Sequence, residues 1–279
     1  MKKRLLCLLL AVLLLLPLSS CKEDTPPPLL EMHFLDVGQG DATLLRTLDG
    51  DILIDAGTDD TQDRLCLHLE NLGVTSLLLA IFTHSDEDHI GGADGVLRKF
   101  PTETVWISEF FEDSECTRLL ISAAVDTGAQ IQTVSASSHR KIGDVALSVL
   151  SPMGSMDGAS VNDKSLVLKL VCGEASALLM GDAESATEAL LLEQYDHAQF
   201  NCDVLKLGHH GASTSSSEAF LNTVRPQYAV ISCGAANYYG HPHGETLARL
   251  QSVGATVLRT DRLGDVVLMT DGKEIWQNE

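Results

Sequence analysis

Positive charge is what this chain of 279 residues has least of. Lysine and arginine total 19 against 39 aspartates and glutamates, a formal charge of −20. Counterion-release binding to polyphosphates needs a basic face, so nonspecific binding to nucleic acid through such a face is excluded. A phosphate ligand then needs local positive charge from another source, such as a metal ion. No two cysteines are spaced C-x-x-C, which excludes the common zinc and redox pairs built on that spacing. Only one long apolar run exists, Leu5 to Leu16, and it is shorter than the roughly 20 residues a spanning helix needs. No internal repeat is present, and no Pro- or Ser-rich linker divides the body of the chain.

The apolar run follows the basic stretch Met1-Lys2-Lys3-Arg4 and leads into Leu18-Ser19-Ser20-Cys21. This order resembles a bacterial lipoprotein signal: residues 1–20 are removed, Cys21 is acylated, and residues 21–30 ("CKEDTPPPLL") form a Pro-rich tether. The reading predicts an extracytoplasmic protein, anchored to a bacterial membrane through a lipid on Cys21, with no transmembrane helix in the mature chain. Removing residues 1–20 takes away three basic residues and no acid, moving the charge from −20 to −23. Five cysteines besides Cys21 would remain, Cys66, Cys116, Cys172, Cys202 and Cys233. An odd number cannot complete an intrachain disulfide framework, so buried free thiols are expected.

At 44% hydrophobic and 21% charged the chain is globular. "MHFLDVG" (32–38), "DATLLR" (41–46) and "DILIDAG" (51–57) predict three short strands with Gly- and Asp-containing turns. Residues 61–73 predict a helix stopped by Gly73, and "LLLAIF" (77–82) a strand covered on both faces. Further helices are expected at 89–99, 114–127, 184–194, 217–223 and 244–253. Strands are expected at 104–107, 144–150, 165–171, 175–180, 203–207, 228–232, 256–259 and 265–269. Residues 134–144 and 151–163 have the polar composition of exposed loops. The alternation predicts one layered α/β domain with mixed sheets over residues 31–279.

The strongest local signal is "THSDEDHIGG" (83–92). Left alone, Asp86, Glu87 and Asp88 repel one another, so a cation is expected among them. In a segment leaving a strand, His84 and Asp86 point the same way and can converge on one ion. Asp88 and His89 then open the next helix and turn toward a second position. Imidazole and carboxylate suit zinc, manganese or iron. Two more strands end in ligand-type residues: "ALLMGDAE" (177–184) in Asp182, and "DVLKLGHHGAS" (203–213) in His209-His210. One such end proves little; three make a constellation.

These segments resemble the metallo-β-lactamase superfamily, specifically its ComEC-type competence branch. The matching pieces run in order: "FLDVGQGDA" (34–42), "ILIDAG" (52–57), "THSDEDHIGG" (83–92), "NDKSLVLKL" (162–170), "MGDAE" (180–184), "LKLGHHGAS" (205–213), "YYGHPHGETLARL" (238–250) and "RTDRLGDV" (259–266). The resemblance implies a four-layer αββα sandwich with two mixed β-sheets and metals at one sheet edge. It assigns His84, Asp86, Asp88, His89 and Asp182 to a cluster for one or two divalent ions, zinc or manganese, with Asp182 bridging and His209 or His210 completing it. Two departures stand out. The superfamily's His-x-His-x-Asp-His has Asp86 at its second histidine, and a further histidine ligand is replaced by a region containing Asn162 and Ser165.

The implied reaction is hydrolysis of a phosphodiester, DNA among the substrates, by a water whose pKa a metal has lowered. Asp88 is placed to deprotonate that water. Lys206, His241, His243 and the non-ligating member of His209/His210 are candidates to protonate the leaving oxygen. Asn162, Ser165, His241 and His243 are candidate substrate contacts. Asp36, Asp41 and Asp55 are read as structural, with Asp36 or Asp41 supporting the ligands. His33, His68, His139 and His197 lack ligand-like neighbours. A lactamase or lactonase using the same water on a carbonyl, and a non-catalytic binding lipoprotein on the same fold, are the competing readings.

Overall fold

The computed structural model describes residues 27–278; the signal segment and Cys21 lie outside them. The chain begins with β1 (Leu30–Phe34), β2 (Thr43–Thr47) and β3 (Gly50–Ile54). It continues through α1 (Gln62–Asn71), β4 (Leu77–Phe82), α2 (Glu87–Ile90), α3 (Ala93–Lys99), β5 (Thr102–Ser108), α4 (Glu115–Thr127) and β6 (Gln130–Val134). The second half comprises β7 (His139–Ile142), β8 (Val145–Ser151), β9 (Val167–Cys172), β10 (Ala175–Leu179), α5 (Ser185–Gln194), β11 (Val204–Lys206), α6 (Glu218–Val224), β12 (Tyr228–Ile231), α7 (Gly244–Ser252) and β13 (Thr256–Arg259). The chain then returns through α8 (Thr260–Leu263), β14 (Val266–Thr270) and β15 (Ile275–Gln277) to the first half.

Two sheets result. One runs β15-β14-β1-β2-β3-β4-β5-β6, the other β13-β12-β11-β10-β9-β8-β7. Both are mixed. In the first, β3 to β6 are mutually parallel and the remaining pairs antiparallel. In the second, β10 to β13 are parallel and β7 to β10 antiparallel.

Three apolar clusters define four layers. Phe34, Ile52, Leu79 and Ile81 of the first sheet meet Leu168, Leu170, Val204 and Val230 of the second. On the outer face of the first sheet, Leu53, Ala80 and Phe82 pack under Leu65 and Leu69 of α1, Val96 and Leu97 of α3, and Leu120 of α4. On the far face of the second, Leu178, Leu205 and Ile231 pack under Leu191, Phe220 and Leu250 of α5, α6 and α7. Strands buried on both faces read as unbroken apolar runs, which is why β4 is "LLLAIF"; β11, "VLK", departs from this at Lys206, whose ammonium is paired with Asp41. The expected four-layer αββα sandwich with two mixed sheets is the observed fold.

Several local expectations change. Residues 139–142, read as loop, form β7, the exposed edge of the second sheet. Residues 130–134, for which no strand was expected, form β6, the corresponding edge of the first. Both are polar because an edge strand facing water has little to bury. The helix expected over 89–99 is two helices, α2 and α3, separated by Gly91-Gly92. A Cβ on Gly92 would collide with the Ala56 carbonyl, so this close approach needs glycine.

Candidate metal centre

The parallel strands β3, β4, β10, β11 and β12 all end toward one region, and the candidate residues sit on the loops leaving them. In open α/β sheets this carboxyl end is where ligands bind. Asp55 follows β3, His84 follows β4, Asp182 follows β10 and His209-His210 follow β11. Between β1 and β2, the turn Gly38-Gln39-Gly40 brings Asp41 against the α2 loop, where Asp41 N–H donates to the Asp88 carbonyl at 3.1 Å. Gly40, at φ +145°, packs so closely on that carbonyl that no side chain fits.

Asp182 is the centre. Its Oδ1 lies 3.1 Å from His89 Nε2, and its Oδ2 lies 3.5 Å from His210 Nε2 and 4.0 Å from His84 Nε2. Asp88 Oδ2 is 3.0 Å from His210 Nε2, and Asp86 Oδ2 is 3.7 Å from His84 Nε2. Asp41, His89, Asp182 and His210 each offer a donor atom within 4.8 Å of the others, and all four are buried. Asp41 Oδ1, His84 Nε2, His89 Nε2 and Asp182 Oδ1 are buried without a hydrogen-bond partner. Burying unpaired polar atoms costs free energy, and here they converge. The donor set of imidazole nitrogens and carboxylate oxygens fits a divalent transition-metal ion. The geometry makes Asp41, His89, Asp182 and His210 a candidate metal site. His84 and Asp86 extend it across Asp182 toward a second position.

Neighbouring groups orient these donors. Asp55 Oδ2 holds His89 Nδ1 at 2.7 Å and the Thr83 hydroxyl at 2.8 Å, while Asp55 Oδ1 accepts the Thr83 N–H. The ring is thereby turned so that Nε2 faces Asp182, the carboxylate–histidine arrangement typical of metal ligands. The Ser232 carbonyl accepts from His210 Nδ1 at 3.0 Å, leaving Nε2 toward Asp88 and Asp182. The Ser165 hydroxyl accepts the Asp182 N–H at 3.1 Å. His209 and His210 both have left-handed backbone, φ 46° and 52°. Strain of this kind costs about 1–3 kcal/mol per residue and persists where surroundings enforce it.

Electrostatics agree with a cation at this position. Burial alone would lower the His210 pKa, but Asp182, Asp41 and Asp88 push it up to about 10. His89 is likewise driven well above the usual range, as Asp182 and Asp55 outweigh burial. Burial would raise Asp182, yet His210 and His89 hold it well below the usual carboxylate range. Without a metal, protons on two imidazoles supply the positive charge the carboxylates demand.

A cavity of about 170 Å³ opens onto this cluster, lined by Gln39, Asp86, Asp88, Asn162, Asp182, His209, His210, Tyr239 and His241. No lysine or arginine lines it. The sequence-predicted residues divide as follows. His84, Asp86, Asp88, His89, Asp182 and His210 gather around one point. His209 lies beside them with Nδ1 2.8 Å from Glu184 and 3.3 Å from the Asn162 amide. His241 reaches the wall of the cavity, whereas Ser165 is buried beneath it.

Lys206 and His243 do not line the cavity. The Lys206 ammonium, 2% exposed, is ion-paired with Asp41 Oδ2 and donates to the Leu207 carbonyl. His243 accepts the Ser213 N–H at Nδ1 and meets the Tyr239 carbonyl with Nε2, so both ring nitrogens serve the backbone. Residues the sequence reading passed over are Gln39, Glu184 and Tyr239. It took Asp41 and Asp55 as structural, with Asp36 or Asp41 supporting the ligands; instead Asp41 offers a donor atom itself and Asp55 is the residue that holds His89. The signal was there in "DVGQGDA" and "LIDAG", each an acid beside glycine after an apolar run.

An αββα sandwich carrying a His/Asp cluster at its sheet edge defines a metallo-hydrolase-type fold. Residues 35–129 match the metallo-beta-lactamase superfamily, so the chain carries a metallo-β-lactamase domain. Its domain is of the type found in competence proteins. It is 33% identical over 254 residues to ComE operon protein 3 of Bacillus subtilis (strain 168), covering 85% of this chain and 32% of that protein. It is 34% identical over 259 residues to Competence protein ComA of Neisseria gonorrhoeae, covering 91% of this chain and 34% of that protein. The chain thus spans about a third of the length of these curated relatives. Among solved structures, the metallo-beta-lactamase fold protein YhfI from Bacillus subtilis superposes with a TM-score of 0.57 at 10% identity, covering 89% of this chain and 100% of that one. No helix among the described residues is long and apolar enough to cross a membrane.

Proposed function

We propose that this protein is a metal-dependent phosphodiesterase, with nucleic acid among its substrates, acting outside the cytoplasm from a lipid anchor on Cys21. The observation that carries the reading is the convergence of unpartnered donor atoms from His84, His89 and Asp182 beneath a cavity holding Asp88 and Asn162. Similarity to competence proteins over most of the chain supports a phosphodiester over a carbonyl substrate. The departure at Asp86 from the superfamily's second histidine points the same way.

Asp41, His84, Asp86, Asp88, His89, Asp182 and His210 would hold one or two divalent ions, zinc or manganese, with His209 as a further candidate. A bound ion supplies Lewis acidity toward a phosphoryl oxygen and lowers the pKa of water. The chain's own groups do the rest. Asp88 has a carboxylate oxygen at the cavity wall, where it accepts a proton from an attacking water. Burial would raise Asp88, but His210 and His89 keep it below the usual range, so it stays a carboxylate. The Asn162 amide is placed to donate to a phosphoryl oxygen. Burial, then the charges of His210, His209 and His243, bring His241 down to about 4. It therefore meets substrate as a neutral imidazole, able to donate to a leaving oxygen without repelling a cation. Lys206 and Ser165 act at one remove, fixing Asp41 and Asp182.

The test is incubation of the zinc- or manganese-loaded protein with single-stranded DNA, bis-p-nitrophenyl phosphate and nitrocefin. Cleavage of the first two, lost in His89→Ala, is expected. A folded, metal-loaded protein inert toward every phosphodiester overturns the proposal, and turnover of nitrocefin alone would assign a lactamase. A preparation that takes up neither metal would leave a non-catalytic binding protein. Palmitate labelling that vanishes in Cys21→Ser checks the anchor.

A further inference from the structure

We infer that Tyr239, with Tyr238 beside it, is a stacking platform for an unpaired base next to the phosphodiester being cleaved. This makes the substrate single-stranded nucleic acid, an inference that rests on the phosphodiester reading above.

At about 170 Å³ the cavity is smaller than the ~300 Å³ at which pockets begin to enclose drug-sized ligands. It accommodates a phosphoryl group; whatever is esterified to that group must lie outside, on the rim. The rim carries Tyr239, 64% exposed, and Tyr238, wholly exposed. These are two of only four tyrosines in the chain. Large exposed aromatic rings beside a site are informative where isolated apolar surface is not.

One face of Tyr239 stacks on His241, with ring centroids 5.6 Å apart and planes 21° from parallel. His241 in turn stacks on His210 at 6.0 Å and 28°. A ladder of parallel rings therefore runs from the donor cluster out to solvent and ends on a tyrosine ring. Tyr238 stands edge-on to that ring at 6.2 Å.

The loop is held in place. The Asn237 amide donates to the Gly234 and His241 carbonyls while its oxygen accepts the His241 N–H, and His243 Nε2 meets the Tyr239 carbonyl. A platform already fixed loses little entropy on binding.

In a chain of −20, the stretch "AANYYGHPHG" (235–244) has no acidic, lysine or arginine side chain, so this loop adds no repulsion of its own toward an anionic strand. With no lysine or arginine lining the cavity, side-chain pairing with the phosphates flanking the reacting one cannot supply affinity, whereas base–aromatic stacking can. A base in a duplex is covered on both faces; only an unpaired one offers its face to a protein ring.

The experiment uses the manganese-loaded chain and two fluorescein-labelled pentamers with phosphorothioate links, one of thymidylate and one abasic, with binding read by anisotropy. Cleavage of the corresponding phosphate-linked pentamers is followed in parallel. Thymidylate is expected to bind roughly tenfold or more tightly than the abasic pentamer, as stacking of a single base implies. Tyr239→Leu should erase that difference, while Tyr239→Phe should retain it. Equal binding of the two pentamers by a protein that cleaves both, or a preference untouched by Tyr239→Leu, overturns the stacking platform and leaves the phosphodiesterase. A base preference with no cleavage of either pentamer overturns the hydrolytic reading and leaves the platform.

Discussion

Two residues that touch no substrate in this arrangement orient the donors of the candidate metal centre. Asp55 spends one carboxylate oxygen on Thr83 N–H and the other on His89 Nδ1. Asp55→Asn keeps the shape and the tolerance of left-handed backbone at this position, φ 58°, but weakens the hold on the imidazole. Loss of such a supporting carboxylate costs about 10- to 100-fold in metal affinity; titration calorimetry with zinc on a variant of unchanged circular dichroism checks it. Lys206 is the second. Removing one member of a buried ion pair strands the other, a loss of about 3 kcal/mol or more. Lys206→Met should therefore lower the urea midpoint of the metal-free protein markedly, where an exposed lysine such as Lys273 would not.

At the scale of elements, the site depends on how tightly α2 is laid against the end of β3. The Ala56 N–H donates to the His89 carbonyl at 2.7 Å, and Gly92 packs on the Ala56 carbonyl. Gly92 has ordinary backbone angles, φ −85° and ψ 0°, so Gly92→Ala introduces a collision and no backbone strain. Overpacking of this kind costs about 1–3 kcal/mol, and the shift falls on His89. A lower melting temperature and a larger loss of bound metal than the stability change alone explains are expected, read by calorimetry and metal analysis.

The whole molecule couples protonation to metal. His210 is raised from 6.5 to about 10, and His89 is raised as well. A raised folded-state pKa contributes stability fully present below the unfolded value and lost as pH rises through the folded one. The metal-free protein is therefore expected to lose stability between pH 6.5 and about 10 on account of His210. The metal requires the neutral imidazole, so the opposite holds for binding: affinity for zinc rises over the same interval with release of protons. Calorimetry in buffers of different ionisation enthalpy counts those protons. At free metal about 100-fold above Kd, loading should add about 2.7 kcal/mol to stability, removable by EDTA. The described cysteines are all free, so a reductant should leave the melting temperature unchanged.

Much of this protein is legible in its residues alone. An unbroken apolar run sets β4 and mostly apolar ones set β10 and β11, and the ligand-type residues that end them named His84, Asp86, Asp88, His89, Asp182 and the His209-His210 pair. Those patterns are local: a strand covered on both faces must be apolar along its length, and charge crowded at its end calls for a counter-charge. The polar edges β6 and β7 left no such mark, because a strand half in water has no pattern that separates it from a loop. Only tertiary structure decided which acids reach the centre. Asp41 and Asp55 approach it across loops 34 to 169 residues away from their partners, Lys206 turns inward to Asp41, and Tyr239 reaches the rim. Sequence spacing carries no information about such distances in space; packing of two sheets brings those side chains together, and with them the chemistry.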